Sequence, residues 1–296
     1  MIIAWNVRGL NKRARHMEIK AHLHQFHMPC ISLLETRVKE NNASKIREVF
    51  GNKWSWVDKY SQHPNGRIWI MCLENNLQLT MEDFSDQHIH CKILQHDGRT
   101  ICITVIYAQN QLQQRQDLWR NLKRTTLTIQ DLWMVIGDFN NVLSTNDRIG
   151  GNKVKDSEYL DMTSMMKDSG MFAHDTRGQH FTWSNGVVYS RIDHALCNKQ
   201  WLLQYPECEI EVLKAHISDH HPLKVEVKNQ QNHSRVWEKL KKLLPKLKRI
   251  MYTTTAEVAN IHMNREKLKQ AEDILAGELT NPTYAANVKK WREQLI

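Results

Sequence analysis

The feature of the sequence that most constrains the fold is a set of short apolar segments that each end in polar residues. The clearest is residues 132–136, which are followed by Gly137, Asp138 and, two residues later, Asn140. An apolar run of this length that ends at a glycine predicts a buried β-strand. Sheet proteins place ligand-binding and catalytic groups at the ends of such strands. An Asp or Asn there is also common turn chemistry, so this segment alone leaves both interpretations open.

Other predicted strands carry similar residues at or near their ends. Taken alone, each has a simpler explanation: Asn6 as a turn residue, Glu35 as an ion-pair partner of Arg37, and Tyr107 as a packing residue. A carboxylate that closes an apolar run, such as Glu35, requires a cation or hydrogen-bond donors nearby. Their common position makes them a candidate functional set, which comprises Asn6, Glu35, Tyr107, Asp138, Asn140, Asp193, Asp219 and His220.

Helical and strand patterns alternate through the first 228 residues. Two apolar strands joined by the amphipathic segment 12–26 predict a βαβ-like start. Residues 54–106 contain successive short strands, with turn residues at 75–76 and 97–98, and predict an antiparallel section. Segments 113–122 and 156–166 predict two further helices. The pattern therefore predicts a fold of mixed α and β structure.

Composition disfavours several classes of protein. The 296 residues contain no run of about 18 apolar residues, so we expect no membrane span. The first residues lack the basic region, apolar run and cleavage site of a secretory signal, so we expect a protein that is not secreted. The six cysteines have no metal-site spacing and several lie in apolar runs, so we expect reduced core residues of an intracellular protein.

The charge is concentrated near the C-terminus. The whole chain carries a formal charge of +9, and residues 233–296 hold 13 Lys and Arg against 7 Asp and Glu. The polar segment 229–232 precedes this region, so we predict a domain at 1–228 and a linker with a basic helical arm at 229–296. The arm could contact phosphates, but a solvated helix face explains its charge equally well.

The candidate residues suit the metal-assisted hydrolysis of a phosphodiester. Carboxylate and amide oxygens are the ligands that Mg²⁺ prefers. A carboxylate can orient or deprotonate the attacking water, and a histidine held by an aspartate can donate to a phosphate oxygen as charge develops there. The set thus contains the groups that this reaction needs.

Six motifs in order resemble those of the endonuclease/exonuclease/phosphatase superfamily over residues 1–228. They begin at Trp5 (Trp-Asn-Val-Arg-Gly-Leu-Asn), Leu34 (Leu-Glu-Thr-Arg), Ile106 (Ile-Tyr-Ala), Gly137 (Gly-Asp-Phe-Asn), Arg191 (Arg-Ile-Asp) and Ser218 (Ser-Asp-His-His-Pro-Leu). Within the superfamily the chain looks most like the endonuclease domain of plant LINE-type (non-LTR) retrotransposons. Segments 147–151 and 181–185 are typical of those elements.

The resemblance implies a four-layer α/β sandwich of two mixed sheets flanked by helices, and a role for each matched residue. Glu35 with Asn6 and Asp219 would hold Mg²⁺, for which Mn²⁺ can substitute, and Asp138, Asn140 and His220 form a possible second metal site. Asp138 would activate water, and Asn140 and Tyr107 would contact the phosphate. His220 would also contact the phosphate, with Asp193 as its carboxylate partner. Arg148, Thr182 and Trp183 would bind DNA. Arg8 stands where repair enzymes of the superfamily carry Asp, which removes one potential metal ligand.

The implied function is Mg²⁺-dependent nicking of DNA that leaves a 3′-hydroxyl, in a protein derived from a LINE-type element. Two alternatives stay open: another phosphoesterase of the same fold, and an inactive relic that only binds nucleic acid. DNA is the expected partner, no membrane is expected, and a nuclear location follows only from the expected substrate. The sequence leaves the oligomeric state open.

Overall fold

Two mixed β-sheets form the centre of the protein. The structure is a computed structural model that describes residues 1–61, 66–74, 77–95, 98–214 and 217–227. The predicted turn at 75–76, residue 97 of the second predicted turn, the predicted boundary at 228 and the predicted linker and helical arm lie outside the described residues. Those assignments stay predictions.

The elements of the described chain follow the predicted alternation closely. The strands are β1 (Ile2–Asn6), β2 (Cys30–Leu34), β3 (Trp54–Val57), β4 (Ile68–Leu73), β5 (Leu77–Phe84), β6 (His88–Gln95), β7 (Thr100–Tyr107), β8 (Leu132–Asp138), β9 (Arg148–Ile149), β10 (Met171–Ala173), β11 (Thr176–Gly178), β12 (Trp183–Ser184), β13 (Tyr189–Ser190), β14 (Asp193–Asn198), β15 (Glu209–Val212) and β16 (Leu223–Glu226). The helices are α1 (Arg13–His24), α2 (Glu40–Phe50), α3 (Gln116–Thr126), α4 (Asp156–Asp168) and α5 (Lys199–Gln204).

The sheet order confirms the predicted start and middle of the chain. The first sheet has the order β11-β15-β16-β1-β2-β4-β3, and the second has the order β10-β14-β8-β7-β6-β5. Strands β1 and β2 are parallel and are joined by α1, as the βαβ prediction required. The predicted antiparallel section at 54–106 is divided between the two sheets, with β3 and β4 antiparallel in the first and β5, β6 and β7 antiparallel in the second. Strands β7 and β8 are parallel.

Three apolar layers explain why the two sheets stack with helices outside. Successive side chains of a strand point to opposite faces. In β1, Ile2 and Ala4 pack in the layer that also contains residues of the second sheet, whereas Ile3 and Trp5 pack with residues of α1 and α2. A third layer joins the outer face of the second sheet to α3 and α4. The predicted four-layer α/β sandwich is therefore confirmed.

The shortest helices and strands were not predicted from the sequence or were predicted with the wrong bounds. Strands β10 and β11 and helix α5 were not predicted, because segments of three to six residues with few apolar positions give little periodic signal. The sequence also predicts strands at 180–184 and 190–196. The first consists only of Trp183–Ser184, and the second begins at Asp193. Pairing with neighbouring segments decides these short strands, and it is not visible locally.

One prediction about the cysteines was wrong. Cys30 and Cys72 lie opposite each other on β2 and β4 and form a disulfide, so not all six cysteines are reduced. The other four, at positions 91, 102, 197 and 208, are free and buried, as predicted. Within the described part of the chain, no helix has the length and apolar character needed to cross a membrane.

Gly137 allows β7 and β8 to stay paired as far as the functional residues. It has a φ of +140°, and a Cβ there would lie 2.2 Å from the carbonyl oxygen of Ile106. We expect Gly137→Ala to lower the free energy of unfolding by at least about 2 kcal/mol, because a backbone atom cannot move aside. Denaturant unfolding followed by tryptophan fluorescence measures this loss.

The matched control is Gly51→Ala, which also has a positive φ, of +100°, but meets no atom within 4 Å. It isolates the cost of the backbone conformation from the cost of the clash. Equal losses in the two variants would show that the close approach at Gly137 does not limit packing.

Candidate active site

The strand directions bring the candidate residues to one edge of the sandwich. Parallel strands β1 and β2 end at Asn6 and just before Glu35. In the second sheet, parallel strands β7 and β8 end with Tyr107 directly opposite Asp138. Strand β14 runs antiparallel to β8 and begins at this edge, with Asp193 opposite Asp138. Strand register thus brings Tyr107, Asp138 and Asp193 together at this edge.

A buried group of two carboxylates and one imidazole lies at the centre of the edge. His220 Nδ1 is 2.9 Å from Asp193 Oδ2, and His220 Nε2 is 3.8 Å from Asp138 Oδ2. All three residues are buried. His220 therefore lies between the two carboxylates, and the predicted pair of His220 with Asp193 is present.

Two amide groups fix the carboxylate of Asp138. Asn6 Nδ2 donates to Asp138 Oδ2 at 2.8 Å, and the backbone N–H of Asn140 donates to Oδ1 at 2.9 Å. The side-chain amide of Asn140 donates to the carbonyl of Ala108 at 2.7 Å. Because Asn6 belongs to the first sheet and Asp138 to the second, their hydrogen bond joins the two sheets at the site.

Burial and neighbouring charges shift the pKa values of this group. Burial first, and the charge of Asp193 second, raise the pKa of Asp138 to about 7. Burial alone would lower the pKa of His220, but the charges of Asp193 and Asp138 outweigh it and raise that pKa to about 9. Burial, with Glu35 and Asp138 nearby, also raises the pKa of the Tyr107 hydroxyl. At neutral pH these shifts favour a cationic His220 and keep more of Asp138 protonated than an ordinary carboxyl group.

Two arginines neutralise the carboxylates that were predicted to bind metal. Arg8 Nε and Nη2 donate to Asp219 Oδ1 and Oδ2 at 3.0 and 2.8 Å, and Arg8 Nε lies 3.6 Å from Glu35 Oε2. Arg37 Nε donates to Glu35 Oε1 at 2.9 Å, so the ion pair left open by the sequence is present. Although burial acts in the opposite direction, the hydrogen bonds from Arg8 hold the pKa of Asp219 below its ordinary value.

These groups line an open cleft of about 860 Å³ that is rich in arginine. Its walls include Arg8, Arg37, Arg67 and Arg148 together with Tyr107. The guanidinium of Arg67 lies 5.8 Å from the ring centre of Tyr107. Sequence reasoning missed Arg67, because an isolated basic residue before a strand carries no motif. A cleft with this lining suits an anionic phosphoester.

The three residues predicted to bind DNA occupy different environments. Arg148 lines the cleft and pairs with Glu158 at 2.8 Å, and Trp183 lines it while donating to Asp219 at 3.0 Å. Thr182, which was predicted to bind DNA, is fully buried in the described structure. Its hydroxyl instead accepts hydrogen bonds from the backbone N–H groups of Ile192 and Asp193, at 3.1 and 3.0 Å.

The loops of the site contain an unusual backbone conformation. Arg8, Glu35, Arg37 and Asn140 all have positive φ values, between 47° and 55°. Side chains other than glycine adopt this left-handed region at a cost. In each case the chain turns sharply just after a buried strand, which directs the side chain toward the cleft.

The donors at this edge fit a divalent cation. Glu35, Asp219 and Asn6 supply the oxygen atoms that Mg²⁺ prefers, and both carboxylates already flank one cationic group, the guanidinium of Arg8. Asp138, Asp193 and His220 form a second group whose potential ligand atoms lie within 4.8 Å of one another. The predicted second site named Asn140 in place of Asp193; the amide nitrogen of Asn140 donates to Ala108, and the amide oxygen is the atom that would bind a metal.

The raised pKa of His220 predicts a pH-dependent stability. A group whose folded-state pKa lies above its unfolded value of 6.5 stabilises the fold below pH 6.5, and this contribution is lost as pH rises through about 9. We expect the free energy of unfolding in EDTA to fall by on the order of 3 kcal/mol between these pH values. Denaturant unfolding across this range measures the slope.

His220→Gln should remove most of that slope, whereas His180→Gln, at an exposed position, should keep it. The raised pKa of Asp138 also makes the free energy of unfolding fall as pH rises, but over a lower pH range, because burial disfavours its charged form. A slope that is unchanged in His220→Gln would contradict this account.

The hydroxyl of Thr182 gives a second prediction. Thr182→Val leaves two buried backbone N–H groups without their acceptor, so we expect a loss of about 2 kcal/mol in unfolding free energy. Thr182→Ser keeps the hydroxyl and should lose clearly less. Chemical denaturation of the two variants tests this, and a loss in Thr182→Val no larger than that in Thr182→Ser would mean that the two hydrogen bonds contribute no more stability than the methyl group.

Comparisons with known proteins agree with this geometry. Residues 3–220 match the Endonuclease/Exonuclease/phosphatase family. The structure is similar to the endonuclease domain of TRAS1, a telomere-specific non-LTR retrotransposon, with a TM-score of 0.58 and 12% identity over 78% of this chain and 99% of that chain. It is also similar to the 3′ phosphatase NExo from Neisseria bound to a product DNA hairpin, with a TM-score of 0.56 and 16% identity over 77% and 99%.

A third similar structure is that of a protein named as a sugar phosphatase. It is the mannosyl-6-phosphatase Bt3783 of Bacteroides thetaiotaomicron, with a TM-score of 0.53 and 13% identity over 77% of this chain and 99% of that chain. Identities this low establish a shared fold and no shared substrate. The family match covers well over half of the chain, and together with the assembled strand-end motifs it shows that the chain belongs to the Endonuclease/Exonuclease/phosphatase family.

Proposed function

We propose that this protein is a divalent-metal-dependent DNA endonuclease that hydrolyses one strand and leaves a 3′-hydroxyl. Members of its family hydrolyse phosphoester bonds. The observation that carries the proposal is the arrangement of Asp138 and His220 in a cleft that four arginines line, with Asp193 in contact with His220. This arrangement combines a base, a cationic acid and anion-binding groups within one open cleft.

Asp138 is the base in this proposal. Its pKa of about 7 makes it a competent proton acceptor at neutral pH, whereas an ordinary carboxylate would be too weak a base. The hydrogen bonds from Asn6 and from the backbone of Asn140 hold its two oxygens in place. A water beside Asp138 would therefore be oriented and deprotonated as it attacks the phosphorus atom.

His220 stabilises the negative charge that develops on the phosphate. Asp193 accepts from Nδ1 and keeps the ring cationic, so that Nε2 also carries a proton. Donation from a fixed cation to an oxygen that gains charge lowers the barrier most when the group is already in place. Asn140 and the hydroxyl of Tyr107 border the same space and would contact the phosphate.

A bound divalent cation would supply further positive charge. Mg²⁺, or Mn²⁺ in its place, would be held by Glu35 and Asp219 with Asn6 nearby and would offset charge on the phosphate and on the leaving oxygen. Arg67 and Arg148 also line the cleft and would pair with the phosphates that flank the scissile bond.

Three lines support DNA as the substrate. The motifs resemble those of LINE-type endonuclease domains, and two of the similar folds belong to a retrotransposon endonuclease domain and to a phosphatase bound to a DNA hairpin. The arginine-rich and open cleft suits an extended polyanion. A nuclear location is proposed from this substrate. The sugar phosphatase among the similar folds supports the competing possibility, a small phosphoester.

Nicking of supercoiled plasmid by the full chain tests the proposal. We expect Mg²⁺-dependent conversion to open circles that EDTA stops, and a loss of at least about 10²-fold in rate for Asp138→Asn and for His220→Ala. The exposed positions Asp175→Asn and His180→Ala serve as matched controls and should keep the rate. Extension of the nick by a DNA polymerase reports the 3′-hydroxyl.

The other outcomes separate the alternatives. Turnover of p-nitrophenyl phosphate or a sugar phosphate, with intact plasmid, would overturn the DNA proposal in favour of another phosphoesterase. Salt-sensitive binding of DNA with neither reaction would indicate a relic that only binds nucleic acid.

A further inference from the structure

Arg8 contacts all three residues that would hold the metal. Its side chain makes two hydrogen bonds to Asp219, at 3.0 and 2.8 Å, and Nε lies 3.6 Å from Glu35 Oε2. Its backbone N–H donates to Asn6 Oδ1 at 3.1 Å. One residue therefore occupies oxygen atoms on every member of the predicted metal-binding set.

The lone pairs of this set are largely committed to protein donors. The second oxygen of Glu35 accepts from Arg37, and Asp219 Oδ2 also accepts from Trp183. A divalent cation needs several of these oxygens at short distance. Because both Asp219 oxygens already bind one guanidinium, a cation that Asp219 ligates must replace at least part of that ion pair.

The charge balance points the same way. Glu35 and Asp219 supply two negative charges, and Arg8 and Arg37 supply two positive charges in contact with them. A divalent cation added beside an undisturbed Arg8 would meet a group with no net negative charge, so its binding would be weak.

We infer that Arg8 is a positioning residue that competes with the divalent cation for Glu35 and Asp219 and thereby sets the metal affinity of the site. The inference rests on the metal-dependent part of the proposed function. Arg8 also lines the main cleft of about 860 Å³, so the guanidinium has space there when it leaves the carboxylates.

The competition couples metal to substrate. A guanidinium released from Asp219 remains at the wall of the main cleft, where it can pair with a phosphate. Phosphate that binds Arg8 should therefore favour the metal-bound state, and by linkage the metal should favour phosphate by the same factor. Empty protein would keep its carboxylates neutralised by Arg8 until both ligands arrive.

Direct measurement of Mn²⁺ binding by electron paramagnetic resonance tests this without any cleavage. We expect the full-length Arg8→Ala protein to bind Mn²⁺ at least about tenfold more tightly than the unsubstituted protein, and Arg8→Lys, which cannot form the paired hydrogen bonds, to fall between them. Arg67→Ala is the matched control, since it removes one positive charge from the same cleft at a residue with no ion pair to Glu35 or Asp219 in the described structure. It should change the affinity by no more than about threefold.

A thermal shift gives an independent readout. Mn²⁺ should raise the Tm of Arg8→Ala more than that of the unsubstituted protein, because the unpaired carboxylates gain their cation only from the metal. A short duplex DNA should tighten Mn²⁺ binding to the unsubstituted protein, and should do so less in Arg8→Ala. Circular dichroism checks that each variant is folded. If Arg8→Ala does not fold, the comparison of Arg8→Lys with the unsubstituted protein decides the test.

The inference is overturned if Arg8→Ala and Arg8→Lys bind Mn²⁺ no more tightly than Arg67→Ala, or if no variant binds it. Failure of the proposed function is a different result. If the variants show the expected order of Mn²⁺ affinities but the protein never nicks DNA, the competition between Arg8 and the cation is supported and the endonuclease proposal is wrong.

Discussion

Face-to-face packing of the two sheets is the constraint on which the rest of the structure depends. The apolar layer between them fixes how β1 and β2 of one sheet lie against β7 and β8 of the other. The hydrogen bond from Asn6 to Asp138 crosses between the sheets, and Trp5 of the first sheet donates to the backbone carbonyl of His220 at 3.0 Å. A small slip of one sheet over the other would therefore disturb the site as well as the core.

Buried charge is the second theme of the molecule. Carboxylates at Glu35, Asp138 and Asp193 are all nearly inaccessible to water, a situation that is unfavourable without compensation. The compensation differs at each residue. Arginines contact Glu35, and the imidazolium of His220 contacts Asp193. Amide groups donate hydrogen bonds to Asp138, whose own pKa is raised. Different reactivities follow from these environments, since the residue types are the same or similar.

Many of the strands and of the residues at their ends were predictable because short, continuous segments of sequence determine them. A short apolar run that ends in polar residues predicts a strand with a candidate functional group at its end, and the order of the six motifs indicated the family. The contacts that were missed join distant segments. The burial of Thr182, the Cys30–Cys72 pair and the position of Arg67 depend on which segments become neighbours, and no local pattern records that. The spacing of Arg37 and Glu35 left their pairing open for the same reason, since only the left-handed turn brings them together.

That left-handed turn has a consequence for the history of the protein. Arg8, Glu35, Arg37 and Asn140 each adopt a conformation that glycine would adopt at lower cost, by about 1 kcal/mol per residue. Random mutation to glycine at these positions would relax the backbone while deleting a side chain from the cleft. If the protein has been retained for its chemistry, these four positions should resist that drift. A copy freed from selection would have no such barrier, so the loops record whether the site has been under selection.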